Sequence, residues 1–252
     1  MILANVVVYL LAIVHAGSLF GGPNAETALR YGAIPYELTH PGSHCGELAV
    51  ITRLHTHSSV VCLSHPEKLL GPLAHRPATW LTVLTSIFLH GSFLSLLVNS
   101  AALALFGLNV EDALGRVRFL AFYVLGAVLA LVLTVLFAPS SQAPVLGSAG
   151  AVAAVLGAYL SLYPRARIIG VALIPFLATI VEAPAALLAG AWLLAQPWVG
   201  LADLAGPIHG AWPLVLAAQC GVALLAALAI RPLAGSERRE AKWRRPPAEP
   251  VY

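Results

Sequence analysis

Apolar residues in this chain run in long blocks rather than in the dispersed pattern of a soluble core. Each block approaches the ~20 residues with which a helix crosses ~30 Å of hydrocarbon. The six blocks cover residues 2–20, 86–108, 119–138, 149–163, 168–196 and 212–230. This pattern predicts an all-α integral membrane protein with six transmembrane helices.

Two of these blocks depart from a simple span. The 168–196 block is too long for one helix and contains Pro175, Pro184 and Glu182. It predicts a short irregular lead-in and then a helix from about residue 181, with Glu182 near the helix N-terminus, where the dipole favours an acid. The 2–20 block has the length of a signal peptide but lacks a preceding basic residue and a convincing cleavage site, so a retained helix is predicted.

The composition agrees with a membrane protein. Of the 252 residues, 59% are hydrophobic and 10% are charged, and the mean hydropathy is +0.85. A soluble domain of this length carries charge on about a quarter of its residues. The low charge content therefore argues against a soluble globular protein.

Basic residues are placed unevenly between the blocks. Arg116 and Arg118 follow the second block, Arg165 and Arg167 follow the fourth, and a basic run follows the sixth. The stretches after the third and fifth blocks have no Lys or Arg. Because basic residues close to the membrane are retained on the cytoplasmic side, both termini are predicted to be cytoplasmic and the long first loop extracytoplasmic.

These predictions divide the chain into a first transmembrane helix at 1–20, an extracytoplasmic loop at 21–79, a membrane core at 80–231 and a basic cytoplasmic tail at 232–252. The tail is expected to rest on anionic lipid headgroups rather than to bind nucleic acid. Twelve arginines against two lysines, with no obvious targeting extension, favour a prokaryotic plasma membrane.

The first loop concentrates histidines and cysteines, namely His40, His44, His55, His57, His65, His75, Cys45 and Cys62. The His55-Thr-His57 pair beside His44 and Cys45 could bind a metal, although the spacing fits no zinc module. A Cys45–Cys62 disulfide is the stronger alternative, because both cysteines lie in a loop predicted to face an oxidising compartment.

Polar residues inside the apolar blocks mark the faces that helices turn toward one another, because an unpaired polar group in hydrocarbon is costly. The second block contains His90, Ser95 and Asn99, Ser148 lies at the mouth of the fourth, and Gln219 lies in the sixth. Three glycines of the fourth block leave room for a neighbouring helix: Gly147, Gly150 and Gly157. From spacing alone, these residues could form the interhelical contacts of any polytopic protein.

From Trp80 to Ala227 the chain resembles the rhomboid family of intramembrane serine proteases. The similarity rests on an ordered series of motifs: Thr85–Asn99, Leu105–Asp112, Gly115–Tyr123, Gly147–Tyr159, Tyr163–Arg167, Glu182–Ala185 and Trp192–Gln196. The resemblance implies a six-helix rhomboid-like bundle with a large first loop. It also implies a dyad in which a serine on the fourth helix is the nucleophile, a histidine on the sixth is the base, and second-helix groups stabilise the oxyanion.

Several residues that this chemistry needs are absent. The nucleophile position is Ala149, which has no side-chain oxygen. The base position is Gln219, whose carboxamide cannot take a proton near neutral pH. His90 and Asn99 match two second-helix groups, whereas Ser95 stands where the resemblance implies another histidine.

Two residues are the fallback nucleophile and base. Ser148 adjoins the nucleophile position, but one step along a helix turns a side chain by ~100° and aims it elsewhere. His209 precedes Pro213, which suits the first turn of the sixth helix, so His209 is expected in a loop.

The coordinated loss predicts a rhomboid pseudoprotease that binds or handles transmembrane segments. One alternative is an active endopeptidase that uses Ser148 with His90 or His209, and then Ser148→Ala would abolish cleavage. A small-solute channel or transporter is a further alternative, and it needs a continuous polar path. The expected partners are transmembrane helices and the lipid bilayer. No cofactor or metal is expected, because the chain has no phosphate-binding glycine loop and no CxxCH.

Overall fold

A computed structural model describes residues 1–51, 56–64, 77–174, 177–202 and 212–233. Its α-helices are α1 (Ile2–Ala16), α2 (Ala25–Tyr31), α3 (Pro35–Thr39), α4 (Thr79–Phe88), α5 (Phe93–Ala102), α6 (Leu108–Leu114), α7 (Arg116–Phe137), α8 (Ala149–Leu162), α9 (Ala185–Ala202) and α10 (Trp212–Leu233), with a π-helical turn at Leu103–Gly107 between α5 and α6. The predicted sites at His55, His65, His75 and His209, and the basic tail from residue 234 onward, lie outside the described residues.

The described chain is predominantly helical. It is not the all-α fold that the sequence predicts, because it also contains three two-stranded antiparallel sheets. The strands are β1 (Gly17–Ser18), β2 (Gly22–Pro23), β3 (Ser43–Ile51), β4 (Thr56–Ser64), β5 (Arg167–Ile174) and β6 (Leu177–Pro184). Each sheet pairs two strands that follow one another in the sequence. Each is therefore a local hairpin, and the helices form the core.

Two of the described helices are long and apolar enough to cross a membrane. They are the continuous run Phe93–Leu114 and the helix Arg116–Phe137. Gly115 joins them with φ 81°, a conformation that residues with a Cβ rarely adopt. These two helices agree with the membrane character predicted from composition. The count of six spans stays a prediction.

The predicted 86–108 span is interrupted. Helix α4 ends at Phe88 and α5 begins at Phe93, and the Ser92 side chain accepts a hydrogen bond from the Ser95 backbone N–H as the N-cap. His90 thus lies in a buried break between two helices, and not on one helix with Asn99 as predicted. Serine is strongly preferred as an N-cap. Ser92 therefore starts a new helix and divides the apolar block into two helices.

The predicted helix from about residue 181 instead begins at Ala185. The preceding segment forms the β5–β6 hairpin, in which Glu182 lies in β6 with Oε1 3.6 Å from Nη1 of Arg167. The prediction of Glu182 at a helix N-terminus is therefore wrong. The segment is rich in β-branched residues, which favour strands, and periodicity alone does not separate such a run from a buried helix.

Helix α8 is the centre of the core, and residues 151–159 are all buried. It packs against α7 and α10 at glycines. A methyl group at Gly150 would collide with the Ala130 side chain, and one at Gly157 would collide with the backbone of Ala223. The predicted close packing at Gly150 and Gly157 is confirmed, because small residues let helix backbones approach.

The first loop contains α2, α3 and the β3–β4 hairpin. Cys45 faces Cys62 across the hairpin register, and their sulfurs form a disulfide. Cys45 is buried in a small cluster with Leu29 and Ile34. The base of this hairpin is therefore packed against the short helices that precede it.

Candidate functional site: a small cavity and a buried polar network

Ala149 and Gln219 line the same cavity. The cavity has a volume of about 60 Å³ and lies between α4, α7, α8 and α10, with residues of the segment before α8 in its wall. Its polar lining side chains include Ser86, Thr134 and Gln219. The structure thus brings together the two positions to which the sequence assigns the missing nucleophile and base.

The hydroxyl oxygens of Ser86 and Thr134 can act as hydrogen-bond acceptors, because both hydroxyls donate their hydrogens to backbone carbonyls. The Thr134 hydroxyl donates to the Ala130 carbonyl at 2.8 Å, and the Ser86 hydroxyl donates to the Val83 carbonyl at 3.1 Å. Gln219 is only 4% exposed, and within the described part of the chain its Oε1 has no hydrogen-bond partner. Neither hydroxyl contacts a base, so the described lining offers no activated nucleophile.

Ser148 does not line this cavity. Its side chain is fully buried, with Oγ 3.1 Å from Nε2 of His90 and 3.5 Å from Nδ2 of Asn5. This agrees with the expectation that one residue along the chain aims Ser148 away from the Ala149 side of the helix.

The His90 ring is oriented by the backbone. Its Nδ1 lies 3.1 Å from the Phe88 carbonyl oxygen, and because a carbonyl only accepts, Nδ1 carries the hydrogen in the neutral ring. Nε2 is then left to accept a hydrogen bond from the Ser148 hydroxyl. A serine beside an oriented imidazole is the local arrangement of a nucleophile and a base.

Asn5 extends this network to the first helix. Its Nδ2 donates to the Tyr123 hydroxyl at 3.3 Å and lies 3.5 Å from Oγ of Ser148. Sequence reasoning misses both Asn5 and Tyr123. The signal for Asn5 is present, since an amide inside the first apolar block needs a polar partner, but nothing in the sequence identifies that partner.

The remaining predicted second-helix residues lie nearby to different extents. Ser95 is close to Gly147, because a Cβ built on Gly147 would lie 3.9 Å from Ser95 Oγ and 3.6 Å from Cδ2 of His90. Asn99 is 1% exposed, and its Oδ1 has no partner among the described residues. The structure therefore groups His90, Ser95 and Ser148 around Gly147, and Asn99 is buried with an acceptor that no described residue pairs.

The described residues contain no group of three or more metal-ligating side chains. His40 instead stacks on Tyr36 with ring centroids 4.1 Å apart, and Cys45 is bonded to Cys62. The described part of the first loop therefore contains the Cys45–Cys62 disulfide, and His55 of the alternative metal pair lies outside the described residues.

The fold and this site define a helical membrane protein with a polar interior between its helices. The Rhomboid domain family matches residues 77–219, which is more than half of the chain, and the chain belongs to the rhomboid family.

A relative from Danio rerio, named "Presenilin-associated rhomboid-like protein A, mitochondrial", is 31% identical over 139 residues. The match covers 52% of this chain and 36% of the relative, so the chain aligns with about a third of that protein's length. No solved structure matches the chain.

Proposed function

We propose that this rhomboid-family protein is a pseudoprotease that binds transmembrane segments without cleaving them. The observation that carries the proposal is that Ala149 and Gln219 line one cavity. Alanine provides no oxygen to attack a peptide carbonyl, and glutamine cannot accept a proton near neutral pH. Loss of both functions leaves no route to an acyl-enzyme at this cavity.

Binding without cleavage agrees with the character of the interior. The cavity walls are mostly apolar, and Gln219 adds an acceptor that has no partner among the described residues. At about 60 Å³ the cavity is far below the ~300–1,000 Å³ of a small-molecule pocket, so it would receive one side chain of a bound segment rather than a whole ligand. The proposed ligand is a transmembrane segment, which reaches such a site through the lipid bilayer and without a cofactor or nucleic acid.

The proposed location is a prokaryotic plasma membrane, with several spans and both termini in the cytoplasm. The support is the position of basic residues, since Arg116 begins α7 and Arg165 follows α8. The name of the Danio rerio relative includes "mitochondrial", which points to a different membrane. Fractionation of the source cells tests the proposed location, and recovery of the protein outside the plasma membrane would contradict it.

The experiment compares four purified proteins in lipid: wild type, Ala149→Ser, Gln219→His and the double variant. Each is given a single-span rhomboid substrate. Under the proposal, the wild type and both single variants are inert, and the double variant cleaves, because only it has both nucleophile and base. Cleavage by the wild type would overturn the proposal.

Binding needs its own measurement. A photoreactive amino acid replaces Val215, which lines the cavity, and a matched probe replaces Leu224, which is 62% exposed on the same helix. The proposal expects a single-span client to cross-link at position 215 well above the level at position 224. Equal cross-linking at both positions would show only nonspecific contact in the bilayer and would contradict the proposal.

A second candidate function is intramembrane proteolysis by Ser148 with His90. The 3.1 Å approach of Ser148 Oγ to Nε2, with Nδ1 fixed by a carbonyl, favours it. Against it, both side chains are fully buried, and a substrate carbonyl would have to reach Ser148 through an opening of the helices. This candidate therefore requires a change of conformation that exposes Ser148 and His90.

The two candidates differ in their response to Ser148→Ala. A Ser148–His90 enzyme cleaves substrate, is labelled by a fluorophosphonate, and loses both properties in Ser148→Ala. The matched control is Ser100→Ala, a serine on α5 whose buried Oγ has no hydrogen-bond partner among the described residues. The pseudoprotease reading expects no labelling of wild type or either variant.

A further inference from the structure

The segment 139–147, which we call the site loop, leads directly into Ser148 and Ala149. At its end the Gly147 N–H donates to the Ser86 carbonyl at 2.9 Å, and Gly147 adopts φ 96°. The position of this loop thus sets where the chain enters α8. Contacts that fix the position of the site loop therefore also fix the positions of Ser148 and Ala149.

The first loop of the protein holds the site loop at three places. Ala33 and Val145 exchange two backbone hydrogen bonds of 3.3 and 2.8 Å. The Tyr36 N–H donates to the Ser141 carbonyl at 3.0 Å, and the Thr39 hydroxyl lies 2.9 Å from the carbonyl oxygen of residue 139. Helix α3 and the residues just before it therefore clamp the site loop along most of its length.

Helix α3 is in turn tied to the disulfide. The carboxylate of Glu37, which is buried in α3, accepts a hydrogen bond from the backbone N–H of Cys45. Cys45 is bonded to Cys62, and both pack with Ile34 at the base of the hairpin. A continuous set of bonds therefore runs from the disulfide through Glu37 to the site loop.

We propose that the Cys45–Cys62 disulfide is a redox-sensitive latch that holds the site loop in place, and that its reduction loosens the loop as far as Gly147. Strands β3 and β4 have nine residues each, and the disulfide joins them near the base of their hairpin. An isolated two-stranded hairpin is only marginally stable. Without the link, Cys45 can move away from Glu37, and the clamp on α3 is weakened.

The reductant is a dithiol. Its thiolate attacks the sulfur of Cys62, which is partly exposed, whereas Cys45 is 1% exposed. The S–S bond breaks, Cys45 leaves as a thiolate and takes a proton, and a mixed disulfide joins the reductant to Cys62. The second thiol of the reductant then displaces Cys62, so that the reductant ends as a disulfide and both cysteines as thiols.

The test is amide hydrogen exchange of the full chain in lipid, with and without dithiothreitol. The latch predicts that reduction increases exchange on the order of tenfold at Tyr36, Val145 and Gly147, with α8 unchanged at its centre. Mass spectrometry after thiol alkylation verifies that the disulfide has opened. This readout requires neither substrate nor client, so it stands or falls independently of the proposed function.

Two variants make the result specific. Cys45→Ser/Cys62→Ser should show fast exchange in the site loop with no response to dithiothreitol, and Cys220→Ser, which removes the free cysteine, should respond as wild type does. If reduction increases exchange only within residues 43–64, or nowhere, the latch is refuted. Far-ultraviolet circular dichroism separates loosening from global unfolding, and a loss of helix on reduction would also refute a local latch.

Discussion

Nε2 of His90 lies 3.1 Å from Oγ of Ser148, although the two residues are 58 positions apart in the chain. The contact joins the break between α4 and α5 to the N-cap of α8. Both side chains are fully buried, so each provides the other with a hydrogen-bond partner that water would otherwise supply. The pair therefore has a structural role whether or not it has a chemical one.

Replacement of Ser148 by alanine should destabilise the fold. The change leaves Nε2 of His90 buried without its partner, and an unsatisfied buried group costs about 1–3 kcal/mol. The measurement is unfolding in detergent micelles by heat or denaturant. The matched control is Ser100→Ala, because Ser100 Oγ is buried with no hydrogen-bond partner in the described residues. A Ser148 variant as stable as the Ser100 variant would contradict the role of the pair.

Gly157→Ala should disrupt the contact between α8 and α10. The new methyl group meets the backbone of Ala223, which cannot turn aside as a side chain can. Because the clash is with backbone, the cost should lie in the upper part of the about 1–3 kcal/mol of overpacking, which exceeds the ~1 kcal/mol that alanine gains over glycine in a helix. Gly190→Ala in α9 is the control, since a Cβ there meets nothing within 4 Å. It should be neutral or stabilising in the same thermal assay.

Gly147→Ala tests strain rather than space. A Cβ at Gly147 finds its nearest neighbour at 3.6 Å, yet φ is 96°, and a residue with a Cβ loses roughly 1–2 kcal/mol in a left-handed conformation. Gly46→Ala supplies the comparison, because it has open space and no positive φ. The Gly147 variant should unfold at a lower denaturant concentration than the Gly46 variant, and equal midpoints would remove the argument from strain.

The sequence predicts the helices of the core better than their ends. The 119–138 and 149–163 blocks correspond closely to Arg116–Phe137 and Ala149–Leu162, because long apolar runs with few breakers have one stable form in a membrane. The 86–108 block fails at His90, since an N-cap interrupts it without changing its hydropathy. The 168–196 block fails because strand and helix compete in a β-branched apolar run.

The site divides in the same way. The pairing of positions 149 and 219 follows from motif order, and both line one cavity. The sequence offers His90 as a possible partner of Ser148, and the structure places Nε2 of His90 3.1 Å from Oγ of Ser148. Asn5, whose Nδ2 lies 3.5 Å from the same oxygen, does not follow from the sequence, because it comes from the first apolar block. The sequence pattern predicts which polar residues lie inside the membrane. Tertiary packing decides which of these residues contact one another.

Gln219→Leu should separate binding from stability. The Oε1 atom of Gln219 is buried with no partner in the described part of the chain, and replacing such a group with an apolar side chain of similar size is neutral or stabilising by about 1 kcal/mol. If Gln219 is retained to bind a client, its loss should decrease cross-linking from position 215 severalfold while the unfolding midpoint is unchanged or higher. Gln196→Leu is the matched control, because Nε2 of Gln196 is also buried without a partner among the residues that the structure describes, and Gln196 does not line the cavity. A decrease in cross-linking in both variants, or in neither, would mean that the amide at position 219 does not contribute to client binding.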